Sequence, residues 1–211
     1  MSGRLKSGIK DGAYAFIVAL LYAIAKPLFR LRVQGRANID REAEYIVIAR
    51  HRSYWDIPVV AIAIGGWNRI HFIARQGLMK GNVLVQPVIR WFSTIIDRDN
   101  FSKSDFRKML TAISSEKLVA IFPEGTTRKR VDAKAGAIHF ATVAEKELLP
   151  VNIRADGPYP PKYPFRFPRL SVSIGAPVSI EEMSRDLDVD MPRSEKYRIL
   201  SERLMQRVDN A

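Results

Sequence analysis

The chain has no cysteine and only three histidines among its 211 residues. Without cysteine there is no disulfide framework and no thiolate metal site, which suits a reducing compartment. Imidazole chemistry is confined to His51, His71 or His139, and His71 and His139 lack the spacing of a metal-ligand pair. Acidic residues are also scarce: 22 against 34 Lys and Arg, a formal net charge of +12. That balance favours anionic partners, namely nucleic acid, anionic lipid, phosphorylated metabolites or an acidic carrier protein. The basic residues are spread along the chain and no nucleic-acid signature is present, so nucleic acid is not expected as a partner. No internal repeat and no low-complexity segment interrupts the sequence.

What is present suits a folded globular domain: 47% hydrophobic and 27% charged residues, in a chain long enough for one substantial core. Ala13 to Ala25 is uncharged and mostly apolar (AYAFIVALLYAIA). As a helix it would reach roughly 20 Å, short of the roughly 30 Å hydrocarbon core. Lys10 and Lys26 flank it, with Arg4 and Lys6 before and Arg30, Arg32 and Arg36 after, and no small-x-small cleavage site closes it. The reading is a helix lying in, or dipping into, an anionic leaflet; a buried core helix is the alternative, and a full span the third. Residues 1–30 are thus expected to form a membrane-associating helical segment, and residues 31–211 the main domain. The protein would be peripheral or monotopic on the cytoplasmic face.

Beyond that segment, apolar runs alternate with helical patterns. Strands are expected at Leu31 to Gly35, Tyr45 to Ala49, Ile70 to Ala74, Thr94 to Ile96, Leu118 to Phe122, Leu148 to Ile153 and Leu170 to Ile174. The alternation in Leu170 to Ile174 (LSVSI) suggests an edge or half-exposed strand. Asp56 with Pro58 behind it opens a helix that Gly65-Gly66 closes. Helices are further expected in pieces over 76–92, broken at Gly81 and Pro87, and over Ser102 to Ser114, Ala135 to Lys146 and Ser194 to Val208. Pro158 to Pro168 holds five prolines and reads as an extended loop. The fold class is α/β: one domain with a central, mostly parallel mixed sheet flanked by helices, plus the amino-terminal apolar helix.

In such sheets chemistry collects beyond the carboxyl ends of the strands. His51, Asp97-Arg98 and Glu124-Gly125 each follow a strand-like run at once. His51 and Asp56 lie five positions apart across a strand-to-helix turn, where the carboxylate can reach back to the ring. Asp56 would then fix the tautomer and leave the other ring nitrogen as a base. Spacing alone leaves open that Asp56 merely caps its helix and that His51 is an ordinary turn histidine. Phe122-Pro123-Glu124-Gly125-Thr126-Thr127-Arg128 is the second constellation, with a glycine whose amide could face an oxygen and an arginine suited to phosphate. Its plain alternative is a solvated basic turn.

Taken together and in this order, the two motifs resemble those of the glycerolipid acyltransferases, and more closely the 1-acylglycerol-3-phosphate acyltransferase family. His51 and Asp56 match the family's H-x4-D, Ile96-Asp97-Arg98 its I-D-R block, and Phe122 to Thr126 its F-P-E-G-T block, with Arg128 displaced by one threonine. Lys134-Ala135-Gly136 matches a K-x-G, and Leu149-Pro150-Val151 loosely a later V-P-V-like strand. Arg50 stands where the family commonly has Asn, and Arg75 takes the place of a second-block Lys. The resemblance spans roughly residues 31 to 180 and implies acyl transfer from acyl-coenzyme A or acyl carrier protein to a lysophosphatidate-like hydroxyl. It implies His51 as general base and Asp56 as its orienter. Arg98, Arg128 and more distantly Arg75 would bind the acceptor phosphate, with Glu124 positioning the acceptor or ordering the arginines, and Gly125 and Thr126 around the acceptor and the developing oxyanion. No metal and no further cofactor is implied. Glycerol-3-phosphate or another lysophospholipid is the alternative acceptor. The alternative of another class is a non-enzymatic basic module that binds anionic membrane or nucleic acid.

Overall fold

In the computed structural model, residues 2–80, 83, 85–124, 136–162 and 167–211 are described, the side chains of residues 2–6 and 80 excepted. The helices are α1 (Ser2–Phe29), α2 (Asp56–Ile64), α3 (Gln86–Phe92), α4 (Lys103–Ser115), α5 (Gly136–Ala144), α6 (Ile180–Ser184) and α7 (Arg193–Asn210). The strands are β1 (Arg32–Gln34), β2 (Tyr45–Ala49), β3 (Ile70–Arg75), β4 (Ser93–Ile96), β5 (Leu118–Ile121), β6 (Glu147–Asp156) and β7 (Arg169–Ile174). They form one seven-stranded sheet in the order β1-β7-β6-β2-β5-β3-β4. Every pairing is parallel except β6 with β7.

The central strands are apolar throughout because both of their faces are covered. Tyr45, Val47 and Ala49 of β2 enter one core with α1 and α2. Ile46 and Ile48 enter the other with α4, α5, α6 and α7. α2 has almost no polar face: Val59 to Ile64 are all buried, because α1 packs along it. Gly65, at φ 102°, ends α2 in a conformation that side chains resist.

The sequence expectation for the sheet class holds, with two differences in detail. β7 is an internal strand, not an edge: it lies between β1 and β6. Its serine alternation is satisfied locally, since Ser173 is buried and accepts a hydrogen bond from Gln34 Nε2 of β1 at 2.8 Å. The first helix is also longer than its uncharged run, continuing through Pro27 to Phe29. At 1.5 Å per residue it extends about 42 Å. Its stretch Ser7–Phe29 is long and apolar enough to cross a membrane by length and composition, and most of it is not buried. Tyr14, Val18, Ala25 and Phe29 form one stripe buried in the core. Ile9, Phe16, Leu20 and Ile24 stand exposed.

Topology places the functional edge. β2, β5, β3 and β4 run side by side in one direction, so their carboxyl ends form one row. β1 runs opposite to β2, because it parallels β7 and β7 opposes β6. The end of α1 that leads into β1 therefore arrives at the same edge. There Phe29 meets Trp55 at 4.9 Å and Phe167 at 5.5 Å between ring centroids.

Candidate active site

His51 lies two residues beyond β2, in the turn that leads into α2. The turn is closed by Asp56, which has no solvent exposure. Its Oδ2 accepts the backbone N–H of Arg52 at 2.5 Å and of Ser53 at 2.7 Å. The carboxylate thus turns back on the loop that precedes it. His51 Nδ1 faces the same oxygen at 3.4 Å, within ion-pair reach but without aligned hydrogen-bond geometry, and among the described residues it has no other partner. Such contacts commonly tighten when a reactant binds. The ring lies against Phe122 at 4.6 Å and edge-on to Tyr54 at 6.4 Å. It is 14% exposed.

Glu124 follows β5, the neighbour of β2, and is 4% exposed. Its Oε2 accepts the His51 N–H at 3.3 Å, and Oε1 is bonded by Arg50 Nη1. The remaining donors of Arg50 reach the end of α7, with Nε and Nη2 each 2.6 Å from the Asp209 carboxylate. The Asp209 hydrogen bonds first, and then Glu124, drive the Arg50 guanidinium still further above its ordinary range. Among the described residues, Glu124 thus holds Arg50 and the His51 backbone.

Arg75 ends β3 and Arg98 follows β4. Arg75 bonds Asp99 at 2.5 Å. Arg98 is pulled below its usual range, by burial first and then by the charge of Arg75, with Asp99 opposing. The two arginines are thus close enough to repel. The row of strand ends from His51 to Arg98 covers three strand spacings, roughly 14 Å. Gly125, Thr126 and Arg128 lie outside the described residues, as does Gly81. Among the described residues no group of three or more His, Asp or Glu is placed to hold a metal ion. His71 instead hydrogen-bonds Thr94 at 2.9 Å, and His139 stacks on Phe106.

The structure also brings up residues that motif reasoning passed over. Asp209 is 159 positions from Arg50, and no local pattern announces it. Tyr159, inside the proline-rich loop, donates its hydroxyl to Asp56 Oδ1.

A model of the acyltransferase family matches residues 30–154, more than half of the chain and the whole of the strand-end row. The chain belongs to the acyltransferase family. Among curated proteins it is 26% identical over 147 residues to the 1-acyl-sn-glycerol-3-phosphate acyltransferase of Streptococcus pneumoniae, a match covering 69% of this chain and 54% of that one. The chain thus spans about half the length of the curated relative it matches. The fold is that of the crystal structure of the 1-acyl-sn-glycerophosphate (LPA) acyltransferase PlsC from Thermotoga maritima. The TM-score is 0.68 at 22% identity, with 100% of this chain and 83% of that chain covered.

Proposed function

We propose that the protein transfers an acyl chain from acyl-coenzyme A or acyl carrier protein to the free hydroxyl of 1-acyl-sn-glycerol-3-phosphate, giving phosphatidic acid. The observation that carries this reading is the His51 ring, facing a fully buried carboxylate at a strand end, in a row that also holds Arg75 and Arg98. His51 Nε2 takes the proton of the acceptor hydroxyl as its oxygen attacks the thioester carbonyl. Asp56 steadies the imidazolium. The new C–O bond forms, the C–S bond breaks, and the thiolate leaves to be protonated. In this reading Arg98 and Arg128, and more distantly Arg75, bind the acceptor phosphate, while Gly125 and Thr126 serve the acceptor and the developing oxyanion. No metal and no further cofactor enters the scheme.

The test is incubation with each acyl donor and a panel of lysophosphatidate, other lysophospholipids and glycerol-3-phosphate, with products identified by mass. Phosphatidic acid is expected as the main product. Formation of lysophosphatidate from glycerol-3-phosphate alone would transfer the assignment to that acceptor. The absence of any acylated product would remove the enzyme reading.

An acceptor with one acyl chain resides in a bilayer, so the site works at a membrane surface. α1 supports this placement: its exposed stripe of Ile9, Phe16, Leu20 and Ile24 lies opposite the stripe that enters the core. Val85, just before α3, and Val88 and Trp91 within it are exposed as well, and Phe92 of that helix meets Tyr14 of α1 at 5.4 Å between ring centroids. With one stripe held in the core, α1 lies in the leaflet rather than crossing it, with Lys26 and Arg30 close to anionic headgroups. The cytoplasmic leaflet supplies those lipids. Deleting α1 would strip the core, so substitution is the cleaner test. Phe16→Glu with Leu20→Glu is expected to release the folded protein from anionic liposomes in flotation. Undiminished flotation would assign docking to another surface. Raised salt should weaken binding of the unaltered protein by screening its basic residues.

A further inference from the structure

The proline-rich loop gave no chemical expectation, yet it delivers a side chain to the site. It follows β6, which pairs with β2, and Gly157 at φ 116° turns the chain there. Two residues on, the Tyr159 hydroxyl donates to Asp56 Oδ1. The guanidinium of Arg52 lies 5.5 Å from the centroid of the Tyr159 ring and also bonds the Ile153 carbonyl. The phenol is thus held at its ring by Arg52 and at its oxygen by Asp56 and the Ser53 side chain.

The division of donors on Asp56 gives this contact its meaning. Both backbone N–H groups go to Oδ2, the oxygen that faces His51. Oδ1 has Tyr159 as its donor. A buried carboxylate oxygen with no donor is costly, and a lone donor on it fixes the carboxylate plane. Burial first, and then the Asp56 charge, push the Tyr159 phenol far above its ordinary value, so the hydroxyl keeps its proton and remains a donor.

We propose that Tyr159 is a positioning residue of the catalytic pair, acting through Asp56 to set how strongly the carboxylate favours a protonated His51. This rests on the reading of His51 as the base. Among the described residues, the ring is faced by Asp56 from α2, Tyr54 from the turn and Phe122 beyond β5. The flanking charges are engaged elsewhere: Arg50 pairs with Glu124 and Asp209, and Arg52 bonds the Ile153 carbonyl. Among the described residues Asp56 is thus the carboxylate facing the ring, and Tyr159 a neutral donor that tempers it. Removing the hydroxyl concentrates negative charge on Oδ2, which favours the imidazolium. The free base fraction at a given pH then falls.

The experiment compares the full chain with Tyr159→Phe, which keeps the ring for Arg52 to cover. Acyl transfer to lysophosphatidate is measured across pH, and the His51 ring signals are followed by NMR through the same range. On the acid limb the expected result is a kcat lower by roughly tenfold with KM nearly unchanged, the difference closing at higher pH. The acid limb of kcat/KM and the His51 titration should both move to higher pH. Fluorotyrosine at position 159, a stronger donor of the same shape, should move the titration the other way, and it serves equally if Tyr159→Phe does not fold. Unchanged titration and unchanged kcat in a folded Tyr159→Phe protein overturn the proposal. So does a loss of rate with no change in pH dependence, which marks a purely structural role. If the unaltered protein acylates no acceptor, the proposed function fails, while the His51 titration still decides the role of Tyr159.

Discussion

His51→Ala is expected to abolish acyl transfer in a protein that remains folded. A positioned general base contributes roughly a hundredfold to ten-thousandfold in rate, and here no other imidazole is near enough to replace it. His71 lies in β3, bonded to Thr94, and His139 lies in α5, stacked on Phe106. Removing the ring should cost little stability. Its backbone N–H still bonds Glu124, and the loop is closed by Asp56 through the amides of Arg52 and Ser53 rather than through the imidazole. Asp56→Ala is a poorer probe, since it deprives those two amides of their acceptor and the fold suffers with the chemistry. The measurement is thiol release from acyl-coenzyme A with lysophosphatidate present, beside a thermal melt. Turnover like that of the unaltered protein from a folded His51→Ala protein would sink the mechanism.

Arg50→Ala is expected to give the largest loss of stability. Glu124 is 4% exposed and Arg50 is the cation bonded to it. Removing one partner of a buried ion pair leaves an uncompensated charge, at a cost of about 3 kcal/mol or more. For a chain of this size that lowers the melting temperature by roughly 6 to 12 °C. The Arg50–Asp209 contact adds little to that figure, because Asp209 is 40% exposed and water screens it. The double variant Arg50→Ala, Glu124→Gln no longer buries an unpaired carboxylate and should recover much of the loss. If Arg50→Ala and the double variant melt together, the pair is not what stabilises this corner. Activity should fall in Arg50→Ala even below its melting point, because Glu124 also holds the His51 backbone.

Much of this was readable in the chain. β2 and α2 have the bounds that their sequence signals give, Tyr45–Ala49 and Asp56–Ile64. Both signals are local: an unbroken apolar run for a strand covered on two faces, and an acidic start with proline and a glycine stop for a helix. His51, Arg98 and Glu124 were legible as strand-end residues for the same reason. Arg75 was legible through the family block. Arg50 showed itself only as a departure from that block, and its partners could not be read at all. Hydropathy likewise revealed an apolar α1 but not its division into a core stripe and an exposed stripe, because that depends on where α2 lies.

By itself, then, the sequence determined the order and kind of the elements, the strand ends where chemistry gathers, and the placing of His51 and Asp56 across one strand-to-helix turn. Those depend on residue types within a few positions of one another, where backbone preferences and burial leave few choices. The tertiary structure alone decided which charges meet. Sheet order set β5 and β6 on either side of β2, so that Glu124 and the loop bearing Tyr159 flank the His51 turn. α7 then closed onto Arg50 through Asp209. Such contacts join residues 73 to 159 positions apart, and a hydrogen bond of a few ångströms leaves no trace in a sequence that separates its partners so widely.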